Sequence, residues 1–242
     1  MKILLVTDLY PIEKENISRA LFYFVQEWKR QGHEVEIIRP NFIFNTKIRG
    51  RKIIKEKIYN EYGTKIHNLN FITPFLFNVR KKLPKDFSLK NYDVMISHMP
   101  SGALMAQRLL EKENIKYICA VHASDIIVLT NIKYSLYFKQ KLKQAYKQAY
   151  KISARSPVLQ QKIEKIIPEI QEKTFVAHSG IDINIKGGNT SRELAFNYKT
   201  LKICTTASLI KRKNIDLIIK ALSNLHCNFH LSIIGSGKEE AN

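Results

Sequence analysis

Cysteine is scarce in this chain of 242 residues, and the three cysteines present have no paired spacing. Cys119, Cys204 and Cys227 fall in or beside predicted core strands, and the sequence contains no C-x-x-C motif. His226 and His230 flank the last cysteine, but they span a predicted helix end and strand start, so their spacing does not place them on one face. Free thiols in such positions are typical of a reducing compartment. We predict a cytoplasmic protein without a metal site.

Acidic residues are also few. The chain has 21 Asp and Glu against 40 Lys and Arg, which gives a formal net charge of +19 at pH 7. A field of this size favours anionic partners, such as a membrane surface, nucleotide phosphates, a lipid diphosphate or nucleic acid. No RNP, KH or zinc-knuckle pattern accompanies the charge, so nucleic acid is the least favoured of these partners. The alternative is that lysine is simply the default surface residue in a lysine-rich proteome.

Long hydrophobic runs are absent as well. Residues 1–7 form an apolar run too short for a signal peptide, and Asp8 ends it without a small-residue cleavage site. No window approaches the roughly 20 apolar residues of a membrane-spanning helix, so any membrane contact would be peripheral. Residues 41–65 combine basic and apolar side chains at helical spacing, which predicts an amphipathic segment docked on the anionic inner face of a membrane. A solvated charged surface is the alternative.

Glycine is missing where dinucleotide-binding enzymes need it. Residues 11–17, which follow the first predicted strand, contain no glycine, and no G-x-G-x-x-G fingerprint is present there. A dinucleotide-dependent oxidoreductase is therefore disfavoured. Close approach of this loop's backbone to a ligand is not expected either.

The chain does have a regular alternation of predicted strands and helices. Strands at 2–7 and 34–39 flank a helix whose apolar face includes Leu21 and Val25. From Tyr92 onward we predict strands at 93–97, 116–121, 151–154 and 173–177, and helices at 102–112, 132–150 and 157–167. This alternation predicts an α/β fold with a doubly wound parallel sheet covered on both faces.

Polar side chains stand at the carboxyl ends of four successive predicted strands. They are His98, then His122 and Asp125, then Ser156, and finally His178 with Ser179 and Gly180. In doubly wound sheets, ligands bind outside these strand ends. A lone histidine is usually structural, but four strands that each bring a polar group to one rim predict a binding site.

A second βαβ unit is predicted near the C-terminus. Residues 201–207 form a short apolar strand, residues 215–222 form an amphipathic helix, and residues 231–234 form a strand that leads into a Gly-Ser-Gly turn. Residues 185–191 contain two adjacent glycines and predict a linker. We predict two domains at 1–184 and 200–242, joined by a linker at 185–199.

Several short motifs resemble, in order, those of family 4 glycosyltransferases of the GT-B fold. Residues 31–35 resemble the family's entry into its second strand, His122-x-x-Asp125 resembles a His-Gly-x-Asp motif, and residues 179–182 resemble an Asn-Gly-Val-Asp interdomain turn. Residues 207–216 resemble a Gly-Arg-Leu-x-x-x-Lys-Gly-x-Asp turn, matching its leucine, lysine and aspartate but not its glycines or arginine. The resemblance covers nearly the whole chain.

The resemblance implies a complete acceptor-side Rossmann-like domain at 1–184 and the first βαβ unit of an incomplete nucleotide-sugar domain at 200–242. It implies transfer of a sugar from a nucleotide-sugar to an envelope glycan or a lipid-linked acceptor. It also implies retention of the anomeric configuration, independence of metal, and no cofactor beyond the nucleotide-sugar substrate.

The resemblance also implies residue roles. His122 and Asp125 would act in catalysis at the cleft, and Lys213 would bind the donor diphosphate. Arg212 or Lys211 would replace the charge of the missing arginine. The rim of the cleft would be formed by His98, Ser156, Ser179 and Gly180.

A second hypothesis belongs to a different class. The family's donor domain continues beyond the one βαβ unit seen in this sequence, so the chain would be a truncated, inactive module of a split glycosyltransferase. Its function would be to bind an acceptor or a complementing donor-domain chain. The unpaired edges of the strands at Cys204 and Ile233 would then favour pairing with a partner.

Overall fold

The computed structural model describes residues 1–11, 20–43, 54–71, 82–178 and 200–240. The chain divides into two units, Met1–Gly180 and Ile181–Asn242. The predicted linker at 185–199 and the domain boundary beside it lie outside the described residues, so the predicted domain limits stay a prediction.

The first unit is built on one eight-stranded sheet within the described residues, in the order β3-β4-β2-β1-β5-β6-β7-β8. Neighbouring strands are parallel except in the β3–β4 hairpin. The strand order reverses between β1 and β5, which makes that pair the topological switch point. The strands are β1 (Lys2–Val6), β2 (Glu34–Phe42), β3 (Ile58–Glu61), β4 (Thr64–Phe71), β5 (Val94–His98), β6 (Tyr117–Val121), β7 (Lys151–Ala154) and β8 (Thr174–Val176).

Helices cover both faces of this sheet. Alternate side chains of β1 point to opposite faces, so Ile3 and Leu5 lie in one buried cluster while Leu4 and Val6 lie in the other. Both faces of the sheet are therefore buried at the central strand β1, as is typical of a parallel sheet. The predicted α/β, doubly wound, Rossmann-like fold is confirmed. The helices are α1 (Ala20–Arg30), α2 (Met99–Leu110), α3 (Ala123–Thr130), α4 (Leu136–Gln148) and α5 (Pro157–Ile166).

One carboxylate contacts polar side chains at the amino-terminal ends of several neighbouring strands. Glu36 on β2 lies 2.8 Å from His67 Nε2 and accepts a hydrogen bond of 2.8 Å from the Tyr92 hydroxyl. The ammonium groups of Lys2 and Lys65 lie 3.3 and 3.4 Å from it. Burial raises the pKa of Glu36, but the bonds from His67, Tyr92 and Lys2 outweigh burial and hold that pKa at about 2.

The prediction of an amphipathic helix within residues 41–65 is wrong for the part of that range that the structure describes. The range begins with the end of β2, and residues 58–71 form the β3–β4 hairpin; residues 44–53 lie outside the described part. The turn between the strands has Tyr62 at φ 49° and Gly63 at φ 67°. Positive φ at both central residues is the geometry of a two-residue hairpin, and a glycine accommodates it.

The second unit contains the predicted βαβ arrangement. Strand β9 (Leu201–Thr206) leads through a turn into α6 (Ile215–Leu222), and β10 (Phe229–Ile234) pairs parallel with β9. The loops after the two strands are in close contact, because a Cβ on Gly235 would lie 1.8 Å from the carbonyl oxygen of Ala207. Only glycine permits that approach.

The length and polarity of a helix determine whether it could cross a membrane. Among the residues that the structure describes, no helix has both the length and the apolar character needed to cross a bilayer.

Candidate active site

Two polar residues follow β1 at the switch point. The Thr7 hydroxyl accepts a hydrogen bond of 3.1 Å from the Leu9 N–H and lies 3.5 Å from His98 Nδ1. Asp8 accepts a hydrogen bond of 2.7 Å from the Ser101 hydroxyl. Thr7, Asp8 and Ser101 were not among the predicted site residues, although the switch-point rule applied to β1 could have found the first two.

His98 and His122 meet at the ends of β5 and β6. Their ring centroids lie 3.9 Å apart in an edge-to-face arrangement. Burial, with His122 and Arg155 nearby, lowers the pKa of His98 to about 2, and burial with Arg155 lowers the pKa of His122 to about 4. Both rings are therefore neutral near pH 7, so each has one N–H donor and one acceptor nitrogen.

One nitrogen of this pair lacks a protein partner. His122 Nε2 is buried and forms no hydrogen bond within the described part of the chain. A buried polar atom without a partner is costly, and a ligand hydroxyl beside it would remove that cost.

Asp125 is fully buried beneath His122 and both carboxylate oxygens are used. Oδ1 accepts a 2.6 Å hydrogen bond from the Tyr146 hydroxyl, and Oδ2 accepts one of 2.9 Å from the His122 backbone N–H. Burial raises the pKa of Asp125 to about 7, against the opposing effect of these bonds. This geometry makes Asp125 a residue that positions His122, and gives it no surface for a substrate. Tyr146 was missed because it lies on α4, 21 residues away.

The start of α2 is pressed against the end of β1. A Cβ on Gly102 would lie 2.3 Å from the carbonyl oxygen of Val6. Met99, directly after His98, has φ 70°, which is unusual for a residue with a side chain. Strained backbone of this kind clusters at functional sites.

The other predicted rim residues are Ser156, His178, Ser179 and Gly180. Some of them have another role, and some lie outside the described part. The Ser156 hydroxyl accepts a hydrogen bond of 3.2 Å from the Leu159 N–H and caps α5. His178 is exposed after the edge strand β8. Ser179 and Gly180 lie outside the described residues, so their assignment stays a prediction. The structure therefore brings together His98 and His122, with the charge of Arg155 acting on both.

The predicted cationic turn lies in the second unit. Lys211–Lys213 form a single 3₁₀ turn after β9, and all three side chains are exposed. The left-handed Asn214, at φ 50°, then starts α6. The Leu209 N–H donates to the Ser236 carbonyl at 2.8 Å, so the loop before the turn is fixed to the Gly-x-Gly loop after β10. Arg212 and Lys213 are thus held on an ordered turn.

Side chains that could bind a metal are dispersed over the described ranges. No group of three or more His, Cys, Asp or Glu side chains there is close enough to hold a metal ion.

Solved structures with the same fold define the class. The crystal structure of Anabaena HepE in complex with UDP is 15% identical, with a TM-score of 0.67, and the match covers 98% of this chain and 61% of HepE. Sucrose-phosphate synthase from Thermosynechococcus elongatus is 12% identical, with a TM-score of 0.65 over 97% of this chain and 62% of that one. The lipopolysaccharide outer core galactosyltransferase WaaB, in its apo form, is 13% identical with a TM-score of 0.59, over 99% and 62%. At these identities the likeness shows the fold alone, which is that of the GT-B glycosyltransferases.

The family follows from the sequence match. A model described as Glycosyltransferase Family 4 matches residues 17–185, and the chain belongs to that family. The resemblance stated from the motifs is therefore confirmed. The chain spans about three fifths of the length of the three solved structures above. A search of curated proteins returns no significant match.

Proposed function

We propose that the chain acts in the transfer of a sugar from a nucleotide-sugar to an envelope glycan or a lipid-linked acceptor. Family membership supports sugar transfer, and the related HepE has been crystallised with UDP, with UDP and glucose, and with UDP-glucose. The observation that carries the proposal is the unpartnered, buried Nε2 of His122 beside His98 at the switch point.

The two histidines bind sugar hydroxyls in this proposal. A neutral imidazole can donate to one oxygen or accept from one hydroxyl, and the lowered pKa of His122 keeps it neutral at working pH. Asp125 holds the backbone of His122 and so fixes the direction of the ring. Such fixed hydrogen bonds orient the reacting groups, which is a large part of catalysis.

Lys213, with Arg212, binds the donor diphosphate. During transfer the bond between the anomeric carbon and the diphosphate oxygen breaks, and that oxygen gains negative charge. A bond forms between the same carbon and the acceptor oxygen, and the departing diphosphate oxygen takes up the proton that the acceptor hydroxyl loses. Cations placed at the leaving group stabilise its charge, so no metal and no further cofactor is needed. We propose that the new bond retains the anomeric configuration.

Calorimetric titration with UDP, GDP and their sugar conjugates tests the donor site. We expect one of these nucleotides to bind, and Lys213→Ala to weaken its binding about ten-fold, since a hydrogen bond to a charged group contributes roughly 1.5–3 kcal/mol. Lys220→Ala is the matched control, because Lys220 is exposed on α6 and pairs with Asp216 at 3.7 Å. Equal losses in both variants would contradict the role of Lys213.

Turnover tests the histidine site separately. His122→Gln should lower the transfer rate about a hundred-fold and leave binding of the free nucleotide unchanged. His122 positions the sugar for the reaction and does not contact the diphosphate in this proposal. A rate within two-fold of the wild type would refute the assignment of His122.

A second candidate function is that of a partner-binding module. Large apolar residues are exposed on the second unit, including Leu217 (60%), Ile219 (51%) and Ile234 (60%). Exposed apolar groups of this kind favour a complementing donor-domain chain that would pair with the sheet. Sedimentation of the purified chain tests this candidate. A monomer at tens of micromolar that also binds a nucleotide-sugar alone would exclude it.

A further inference from the structure

A run of exposed apolar residues lies between α3 and α4. Residues 132–137 are all exposed, and they include Ile132, Tyr134, Leu136 and Tyr137. Ile132 is 92% exposed and Leu136 is 69% exposed. Single exposed apolar residues are ordinary, but a contiguous exposed group marks an interaction surface. We call these four residues, together with Lys133, the 132–137 surface.

The turn that carries this surface is held by its own hydrogen bonds. The Lys133 N–H donates to Asn131 Oδ1 at 2.9 Å, and the Tyr134 N–H donates to the Asn131 carbonyl at 3.2 Å. Ser135 then caps α4 by accepting from the Phe138 N–H at 3.4 Å. Asn and Ser side chains commonly stabilise turns and helix starts in this way. The apolar side chains are therefore presented to solvent by a formed turn.

The chain segment that carries the surface has only basic charged residues, and beside it Arg108, which is paired with Glu111, donates a hydrogen bond of 3.0 Å to the Tyr137 hydroxyl. No Asp or Glu occurs between Asp125 and Glu164, whereas this stretch contains Lys133, Lys139, Lys141, Lys143, Lys147, Lys151, Arg155 and Lys162. Lys147 pairs with Glu169 near the far end of α4. Lys133 is exposed within the surface, and Lys139 is half-buried one turn into α4, so its stem can lie along apolar atoms with its ammonium in water.

We propose that the 132–137 surface docks on an anionic lipid bilayer. Ile132 and Leu136 insert between the acyl chains, Tyr134 and Tyr137 lie at the level of the head groups, and Lys133 with Lys139 contacts lipid phosphates. Tyrosine prefers the membrane interface, and lysine next to apolar residues is typical of surface-bound segments. Nucleic acid would satisfy the lysines but leave Ile132 and Leu136 in water. A bilayer satisfies both.

The surface is close to the candidate active site along the chain. His122 stands directly before α3, and α3 has eight residues, so about 12 Å of helix separates that histidine from the turn. Docking would bring the rim of the first unit near the lipid head groups. The docking proposal does not depend on sugar transfer, since it is tested by binding to lipid alone.

Vesicle sedimentation of the full chain tests the docking. We expect retention on vesicles of phosphatidylcholine with 30% phosphatidylglycerol, weak retention on phosphatidylcholine alone, and a steep decrease as salt is raised. Lys133→Gln with Lys139→Gln should weaken binding to the anionic vesicles roughly twenty-five-fold, from about five-fold for each lysine at the membrane surface. Lys85→Gln with Lys90→Gln is the charge-matched control, because both lysines are exposed elsewhere on the same unit.

The apolar half of the surface has its own variants. Ile132→Ser with Leu136→Ser should weaken binding by ten-fold or more, because buried apolar area is lost, while thermal unfolding stays unchanged. Tyr150→Ser is the control, since Tyr150 is also 61% exposed in the basic stretch but stands beyond the other end of α4. Equal retention of the Ile132/Leu136 variant and the wild type would overturn the proposal. Loss in the lysine variant alone, with tight binding to an oligonucleotide, would overturn it in favour of nucleic acid.

Discussion

Replacing Asp125 by Asn should make the stability of the protein more sensitive to acid. An asparagine can accept from the His122 N–H through its oxygen and donate its amide to the Tyr146 hydroxyl, so the buried hydrogen bonds can be kept. What the substitution removes is a group that can take up a proton. The effect is therefore on the pH dependence.

The size of the effect follows from three pKa values. His98 and His122 have folded-state pKa values of about 2 and 4, below the ordinary 6.5, so as the pH falls from 6.5 to 4.5 the excess of protons bound by the unfolded chain rises from about one towards two. Asp125 has a folded-state pKa of about 7, above the ordinary 3.8, so over the same range the folded protein holds one extra proton. Together these three groups lower the stability of the wild type by up to about 1.4 kcal/mol per pH unit, or about 2 kcal/mol over the range.

The variants should change this slope in opposite directions. Asp125→Asn removes the proton uptake that compensates the two histidines and roughly doubles the loss, to about 4–5 kcal/mol, whereas His122→Gln leaves His98 and Asp125 in balance and brings the slope close to zero. Urea unfolding at half-unit steps from pH 4.5 to 6.5, followed by the fluorescence of Trp28, measures each slope. A slope for Asp125→Asn no steeper than that of the wild type would mean that Asp125 is ionised throughout, and would refute the reasoning.

Three further substitutions test the packing and charges around the sheet. Gly102→Ala should lower the free energy of unfolding by roughly 1–3 kcal/mol, because its Cβ meets the Val6 carbonyl at 2.3 Å; a thermal melt measures this, and an unchanged melting temperature would contradict the close approach. Tyr146→Phe should cost about 1–3 kcal/mol at pH 8 and less at pH 5, where Asp125 is protonated, as urea titrations at the two pH values would show. Glu36→Gln should cost a similar amount at pH 7, and the difference from the wild type should shrink as the pH falls from 4.5 towards 2, because the pKa of Glu36 is held at about 2 in the folded protein.

Much of the fold could be predicted from local sequence pattern. The strand at residues 151–154 was predicted with the bounds that β7 has, because a short apolar segment between a helix and a Ser-Pro helix start leaves little choice. Helix α3 was missed, since residues 126–128 are a β-branched apolar run that by itself favours a strand. Its helical state depends on the cap that Asp125 forms and on packing against the sheet, which are not local properties.

The candidate site could be predicted only by strand order. His98 and His122 were expected at one rim because both follow parallel strands, and the structure places their rings 3.9 Å apart. The burial of Asp125 and the contact of His98 with Thr7 could not be predicted, because they depend on residues 21 and 91 positions away. Pairings over such distances are set by tertiary packing and leave no periodic signal.

The pairing of β1 also constrains how the chain can be made. Ile3 pairs with Val94 and Val6 with Ser97, so the middle of the sheet joins segments about ninety residues apart. At a synthesis rate of about 5–20 residues per second, the first strand waits on the order of 5–20 seconds on the ribosome before β5 can reach it. During that interval the apolar side chains of β1 can be covered only by segments made before β5, such as β2. Mutations that weaken the contact between β1 and β2 should therefore favour aggregation during synthesis.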